Sequence, residues 1–199
     1  MDTNNTGNVR TKKAIIRAKK LSERKNLTPK EVMDRSKLIC DRFLQCPEYL
    51  QASTILLYKA YNNEVDTDLI FSQAKKDGKT VAYPLSTLEN GEPDLCFYVI
   101  DDLNELKSGF KGIKEPDTGK DPKGFTGKAD ICITPGVAFD KSCHRIGYGK
   151  AFYDRFIRQN EPGTVIGLAY DLQMTDEFET EESDRKVDIV ITESAVYRR

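Results

Sequence analysis

The residues best suited to chemistry fall in one stretch, residues 134–154. It reads TPGVAFD, then KSCH, then RIGYGKAFYD. Gly147 and Gly149 let the backbone approach an anion closely. A helix N-terminus follows in the predicted order, with free N–H groups and a partial positive charge. Arg145 and Lys150 bracket the glycines with full positive charges. This combination suits a polyphosphate. The alternative is a glycine-rich turn with solvated basic residues, and spacing alone leaves both open. Two familiar phosphate motifs do not fit. Phe152 stands where a dinucleotide fingerprint has its third glycine. The Gly78-Lys79-Thr80 triplet resembles the end of a P-loop, but Gln73 replaces its first glycine, and the triplet leads from a helix into a strand.

The carboxylates form a second group. Lys150 and Asp154 are four apart and share a helix face if one helix includes both. They are then either a surface ion pair worth about 0.3–0.5 kcal/mol, or a phosphate contact beside a ligand of phosphate-chelated magnesium. Asp188 opens a buried run and reads as a turn carboxylate or a second magnesium contact. Glu64 sits in the strand-to-helix loop NNEVD. It is either solvated or an acceptor for paired N–H donors of a heterocycle. Lys12, Lys13, Arg17, Lys19 and Lys20 make a basic helix, whose simplest reading is a solvated face.

These residues need a scaffold, and the chain alternates between helical and strand patterns. A helix is expected over residues 11–26, with Ala14, Ile15, Ala18 and Leu21 as its apolar positions. A second starts at Thr28-Pro29-Lys30-Glu31, a capping box with proline at the first position. Buried strands are expected at residues 54–58 (TILLY), 131–134 (ICIT), 165–169 (VIGLA) and 187–191 (VDIVI). Further strands are expected at 80–83, ended by Pro84, and at 95–100, after an Asn90-Gly91 turn. Helices fall at 66–77 and 150–159, and residues 115–129 read as a loop. Buried strands alternating with helices predict an α/β fold: three α/β/α layers around a mostly parallel sheet, with an N-terminal helical pair. One domain over 1–199 is expected, residues 1–9 forming a flexible tail.

Composition removes several classes. The chain has 199 residues, 31 Lys plus Arg against 32 Asp plus Glu, and a net charge of -1. A dedicated nucleic-acid binder would carry a basic excess. No apolar run approaches the roughly 18 residues of a membrane span, and residues 1–20 lack the pattern of a secretory signal. The five cysteines are scattered, without a C-x-x-C pair, which points to a reducing cytoplasm. His144 is the only histidine, so a histidine-rich metal site is excluded and any histidine-based triad would run through it.

PGVAFD followed by RIGYGKAFYDRF resembles the signature of the 5-formyltetrahydrofolate cyclo-ligase family. KAIIR at 13–17, NEVDT at 63–67, GIKEP at 112–116 and KVD at 186–188 fit in the family's order, so the likeness covers about residues 10–193. The resemblance implies an α/β/α monomer that converts 5-formyltetrahydrofolate and ATP into 5,10-methenyltetrahydrofolate, ADP and phosphate, with magnesium. It implies nucleotide contacts from Lys13, Arg17, Arg145, Gly147, Gly149, Lys150 and Tyr153, with Arg145 and Lys150 catalytic on the phosphate. Folate would meet Lys59, Glu64, Tyr148, Gly149, Phe152 and Tyr153, and magnesium would meet Asp154 and Asp188. Ala151 replaces a glycine common in the family, which a helical first turn would tolerate, and Phe152 replaces a common tyrosine. Phosphorylating a formyl oxygen needs positioning and charge neutralisation more than a histidine base. The rival readings are a noncatalytic folate or nucleotide binder on the same scaffold, and a sugar-phosphate isomerase.

Overall fold

The structure is a computed structural model that describes residues 3–89, 91–109, 112–120 and 123–199. Met1 and Asp2 of the predicted tail, Asn90 of the predicted turn, and residues 121–122 of the predicted loop lie outside these.

Three helices come first: α1 (Thr3–Lys25), α2 (Pro29–Leu44) and α3 (Pro47–Gln51). The capping box of α2 forms as read. The Glu31 N–H donates to Thr28 Oγ1 at 3.2 Å, and the Thr28 N–H donates to the Glu31 carboxylate at 2.9 Å. The strands and helices that follow are β1 (Thr54–Leu56), α4 (Asp68–Lys76), β2 (Thr80–Glu89) and β3 (Glu92–Val99). After them come β4 (Leu106–Ser108), β5 (Lys114–Pro116), β6 (Ile131–Thr134), β7 (Ala138–Phe139) and β8 (Arg145–Ile146). The chain closes with α5 (Phe152–Asn160), β9 (Thr164–Leu168), β10 (Ile189–Ile191) and β11 (Val196–Arg198).

Seven strands form one sheet in the order β11-β10-β9-β6-β1-β2-β3. Its inner pairs are parallel, and only the outer pairs β2–β3 and β10–β11 are antiparallel. Both faces are buried, as the continuous apolar runs require. On one face Ile39 and Phe43 of α2 and Ile70 and Phe71 of α4 pack against Ile55, Val81, Ile133 and Ile166. On the other, Phe156 of α5 packs with Leu56, Ala82, Phe97 and Cys132, its ring 4.7 Å from that of Phe97. The α/β/α layering is therefore as expected.

Pro84 does not end β2. It pairs in register with Phe97, whose carbonyl accepts from the Phe125 N–H rather than from β2. The missing proline N–H thus falls where β1 has already stopped, and no ladder bond is lost. The short elements α3, β4, β5, β7, β8 and β11 escape a periodicity reading because each is too brief to show a period.

Helix α1 departs from expectation in its start and in its face. It begins at Thr3, taking in residues that the sequence reading leaves outside the helix. Ala14, Ile15 and Ala18, the expected core positions, point to solvent, and Ile15 is 65% exposed. Lys13 and Arg24 are buried instead. The reason is positional. α1 crosses the polar end of the sheet, against β7 and the turn at Asp171–Gln173, where the inward face meets a cavity rather than a core.

The chain leaves β1 through α4 to β2 on one side, whereas β6 leads through α5 to β9 on the other. The gap between β1 and β6 is thus a topological switch point, where open α/β sheets bind ligands beyond their carboxyl ends.

Candidate active site

A cavity of about 740 Å³ opens at that switch point. Two loops form most of it. The loop after β1 brings Tyr58, Lys59, Tyr61 and Glu64, and the loop after β6 brings Pro135 and residues 145–154. Helix α1 closes one side with Lys13 and Arg17, and the β4–β5 hairpin contributes Glu115.

One end of the cavity is cationic. Arg145 is buried; its Nη1 donates to the Pro135 carbonyl at 3.2 Å, and its Nη2 lies 2.9 Å from Asp154 Oδ2. Its Nε has no hydrogen-bond partner among the described residues. A buried guanidinium N–H without an acceptor costs free energy that a bound anion would recover. Arg17 donates through Nε to the Gly147 carbonyl at 2.8 Å and lies against Gly149. Lys13 is held by Asp184 at 2.5 Å and by Glu181 at 3.2 Å. Lys150 is exposed and carries no ion pair among the described residues.

The loop backbone explains the free lysine. Gly149 has φ +90°, a conformation that favours glycine. Ala151, the residue before α5, is left-handed at φ 55°. Helix α5 therefore starts at Phe152, and Lys150 is not part of it, so the expected helical pairing of Lys150 with Asp154 does not form. Asp154 pairs with Arg145 and accepts from the Arg185 N–H at 3.0 Å. Nor does Ala151 sit in an untroubled helical turn. Left-handed backbone costs a Cβ-bearing residue about 1–2 kcal/mol. Ala151→Gly is expected to stabilise the protein by about 1 kcal/mol, read as a rise of roughly 2–4 °C in Tm. A fall in Tm would mean that this residue is not strained.

The other end of the cavity is built on a buried carboxylate. Glu64 Oε2 accepts from the Tyr61 N–H at 2.9 Å, and Oε1 accepts from the Tyr148 hydroxyl at 3.0 Å. Burial pushes the Glu64 carboxyl above its usual range, while the nearby Arg24 charge and these donors pull it back. Asn62 and Asn63, both with positive φ, make the tight bend that turns Glu64 inward. Between the two ends lie Tyr153, whose ring sits 5.9 Å from the Arg145 guanidinium carbon, and Phe152. Lys59 lines the wall with its ammonium on Asp68.

The structure thus gathers Lys13, Arg17, Lys59, Glu64, Arg145, Gly147, Tyr148, Gly149, Lys150, Phe152, Tyr153 and Asp154 around one cavity. It does not bring Asp188 there. Asp188 sits at the amino end of β10, where its carboxylate accepts from the Val165 N–H at 2.8 Å and pairs with Arg199 at 2.6 Å. Parallel strands put their carboxyl ends at the cavity, so a residue that opens a strand faces the other end of the sheet. His144 is likewise absent from the cavity lining, its Nδ1 2.7 Å from the buried Asp140.

Sequence reading missed Arg24. A signal existed: Lys13, Arg17, Lys20 and Arg24 are spaced by four, three and four residues, one face of a helix. All four make polar contacts toward the sheet end.

Residues 9–193 match the model of the 5-formyltetrahydrofolate cyclo-ligase family. The chain is 29% identical to 5-formyltetrahydrofolate cyclo-ligase of Escherichia coli over 177 residues, covering 87% of this chain and 96% of that one. It is 30% identical to the Haemophilus influenzae protein of the same name over 186 residues, covering 92% and 95%. Among solved structures it resembles Aquifex aeolicus 5,10-methenyltetrahydrofolate synthetase, with a TM-score of 0.79, 29% identity, and 94% and 92% of the two chains covered.

Proposed function

The chain belongs to the 5-formyltetrahydrofolate cyclo-ligase family and is a ligase, and from that premise we propose that it cyclises 5-formyltetrahydrofolate to 5,10-methenyltetrahydrofolate at the expense of ATP, in the presence of magnesium. The observation that carries this reading is that one cavity joins a cationic glycine loop to a buried carboxylate. A nucleotide phosphate suits the first and the N–H edge of a pterin suits the second.

The chemistry follows from this juxtaposition. The formyl oxygen on N5 attacks the γ-phosphorus, and ADP leaves. The resulting imidate phosphate carries an activated carbon. The neighbouring arylamine nitrogen attacks that carbon, loses its proton, and phosphate departs as the five-membered ring closes. Arg145 and Lys150 neutralise the charge on the transferring group, while the N–H groups around Gly147 and Gly149 can approach the phosphates closely. Arg17 holds the loop through Gly147, and Lys13 adds charge for the nucleotide. Glu64 and Tyr148 hold the pterin so that its formyl group faces the phosphate end. Phe152, Tyr153 and Lys59 line the contact zone of the two substrates.

The donors present suit magnesium in its usual manner, through one carboxylate and the nucleotide phosphates. Asp154 is that carboxylate, because it lies beside the phosphate loop. When bound, magnesium lowers the charge on the phosphates. Asp154→Asn is expected to raise the magnesium concentration needed for half-maximal rate, with excess magnesium restoring part of the activity. Asp188→Asn is expected to leave that titration unchanged, since Asp188 lies at the amino end of β10, away from the cavity that Asp154 lines. The opposite pattern would move the metal to Asp188.

The protein would act on small molecules as a cytoplasmic monomer; the balanced charge supports small-molecule rather than nucleic-acid substrates, and the unpaired cysteines suit a reducing compartment. No helix among the described residues is long and apolar enough to cross a membrane. The direct test mixes pure, folded protein with 5-formyltetrahydrofolate and Mg-ATP. The near-ultraviolet absorbance of the methenyl product should rise, and one phosphate should appear per product. No rise that depends on ATP would sink the proposal.

A further inference from the structure

We infer that Arg24 is a positioning residue for folate recognition: its guanidinium fixes the Tyr148 hydroxyl against Glu64 and so presents Glu64 as an acceptor to the paired N–H donors of the pterin. This role presupposes that the cavity binds folate.

Arg24 lies near the end of α1, distant in sequence from both loops of the cavity, and is only 1% exposed. Its Nη1 donates to the Gly136 carbonyl at 3.1 Å, which ties it to the start of the loop after β6. Its Nη2 donates to the Tyr148 hydroxyl oxygen, and its guanidinium carbon lies 5.6 Å from the centre of the Tyr148 ring. The same hydroxyl donates its proton to Glu64 Oε1 at 3.0 Å. Because the oxygen accepts from Arg24, its one proton is directed at Glu64. Without that neighbour the hydroxyl would be held only by its own bond to Glu64, with no donor among the described residues on its lone pairs.

The relay has a chemical consequence. A bidentate Arg–carboxylate pair would occupy both oxygens of Glu64. Here Arg24 forms no direct ion pair with Glu64, because the phenol oxygen mediates between them. Each Glu64 oxygen receives one donor, Tyr61 N–H or Tyr148 hydroxyl, and a carboxylate has about four lone-pair sites. Glu64 keeps acceptor capacity for a ligand while a buried positive charge compensates its own. The Tyr148 side is open, since that residue is 41% exposed and lines the cavity. The Arg24 Nε has no partner among the described residues, so the guanidinium's one side-chain hydrogen bond is the one to the Tyr148 hydroxyl.

The test measures kcat and both KM values for the wild type, Arg24→Met, Arg24→Lys, Tyr148→Phe and the two double variants. Arg24→Met should raise KM for 5-formyltetrahydrofolate about 10-fold, with KM for ATP changed less than about 2-fold. Arg24→Lys should recover part of the loss, since the ammonium restores the charge without the fork. Tyr148→Phe should raise the same KM, and each double variant should be less impaired than the product of its single effects, because both changes break one relay. Equal rises in the two KM values, or multiplicative double effects, would overturn the role. If Arg24→Met does not fold, Arg24→Lys with and without Tyr148→Phe decides by the same criterion. A folded wild type with no folate turnover would instead remove the folate reading, and with it this role, before any variant is made.

Discussion

Lys150→Ala is expected to lower kcat/KM by about 30- to 1,000-fold, a loss of roughly 2–4 kcal/mol in transition-state stabilisation. The side chain is exposed, pairs with no carboxylate among the described residues, and lies on a loop that Gly149 and Ala151 hold out of α5. Its ammonium therefore has no structural task to lose. Circular dichroism and Tm should match the wild type, which separates this variant from one that merely unfolds. Asp154 keeps its partner Arg145, so the substitution leaves no buried charge unpaired. A variant with full turnover would return Lys150 to an ordinary solvated lysine and would leave Arg145 alone to meet the phosphate.

Glu64→Gln is expected to raise KM for the folate about 10- to 100-fold while leaving KM for ATP nearly unchanged. The amide keeps the shape of the carboxylate but turns one acceptor into a donor. Its oxygen is needed by the Tyr61 N–H, so its NH₂ faces Tyr148, whose proton then lacks an acceptor. Arg24 also loses its buried countercharge. Equal effects on both substrates would count against a pterin-binding role. Stability carries a second signature. Burial raises the Glu64 carboxyl above its usual range, so between the ordinary value and the raised one the folded chain binds a proton that the unfolded chain releases. Its contribution to stability therefore falls as pH rises from the ordinary carboxylate range through the raised value, and is constant above. The stability difference between wild type and Glu64→Gln should shrink over that window in urea titrations.

Much of the scaffold was legible in the sequence. The continuous apolar runs at 131–134 and 165–169 became β6 and, over Thr164–Leu168, β9, and Thr28-Pro29-Lys30-Glu31 became the start of α2. Such features are local: a strand buried on both faces must be apolar throughout, and a capping box closes within four residues. The glycine loop with Arg145 and Lys150 was legible for the same reason, because its residues are neighbours along the chain.

What the sequence left open depended on which elements meet. The pairing of Asp154 with Arg145 rather than Lys150 follows from a left-handed Ala151, and no periodicity reports a φ angle. Asp188 looked like a partner for Asp154 until the parallel sheet set the amino end of β10 away from the cavity. The basic face of α1 read as solvated because charge usually is, yet α1 lies across the carboxyl ends of the strands, and Lys13 and Arg24 are buried there. The sequence by itself determined the α/β class and the cationic loop, and it offered Glu64, Asp154 and Asp188 as candidate carboxylates. Only the tertiary structure decided which carboxylate each cation faces, because charge pairing acts across space between residues that may be more than a hundred positions apart, as Arg24 and Tyr148 are.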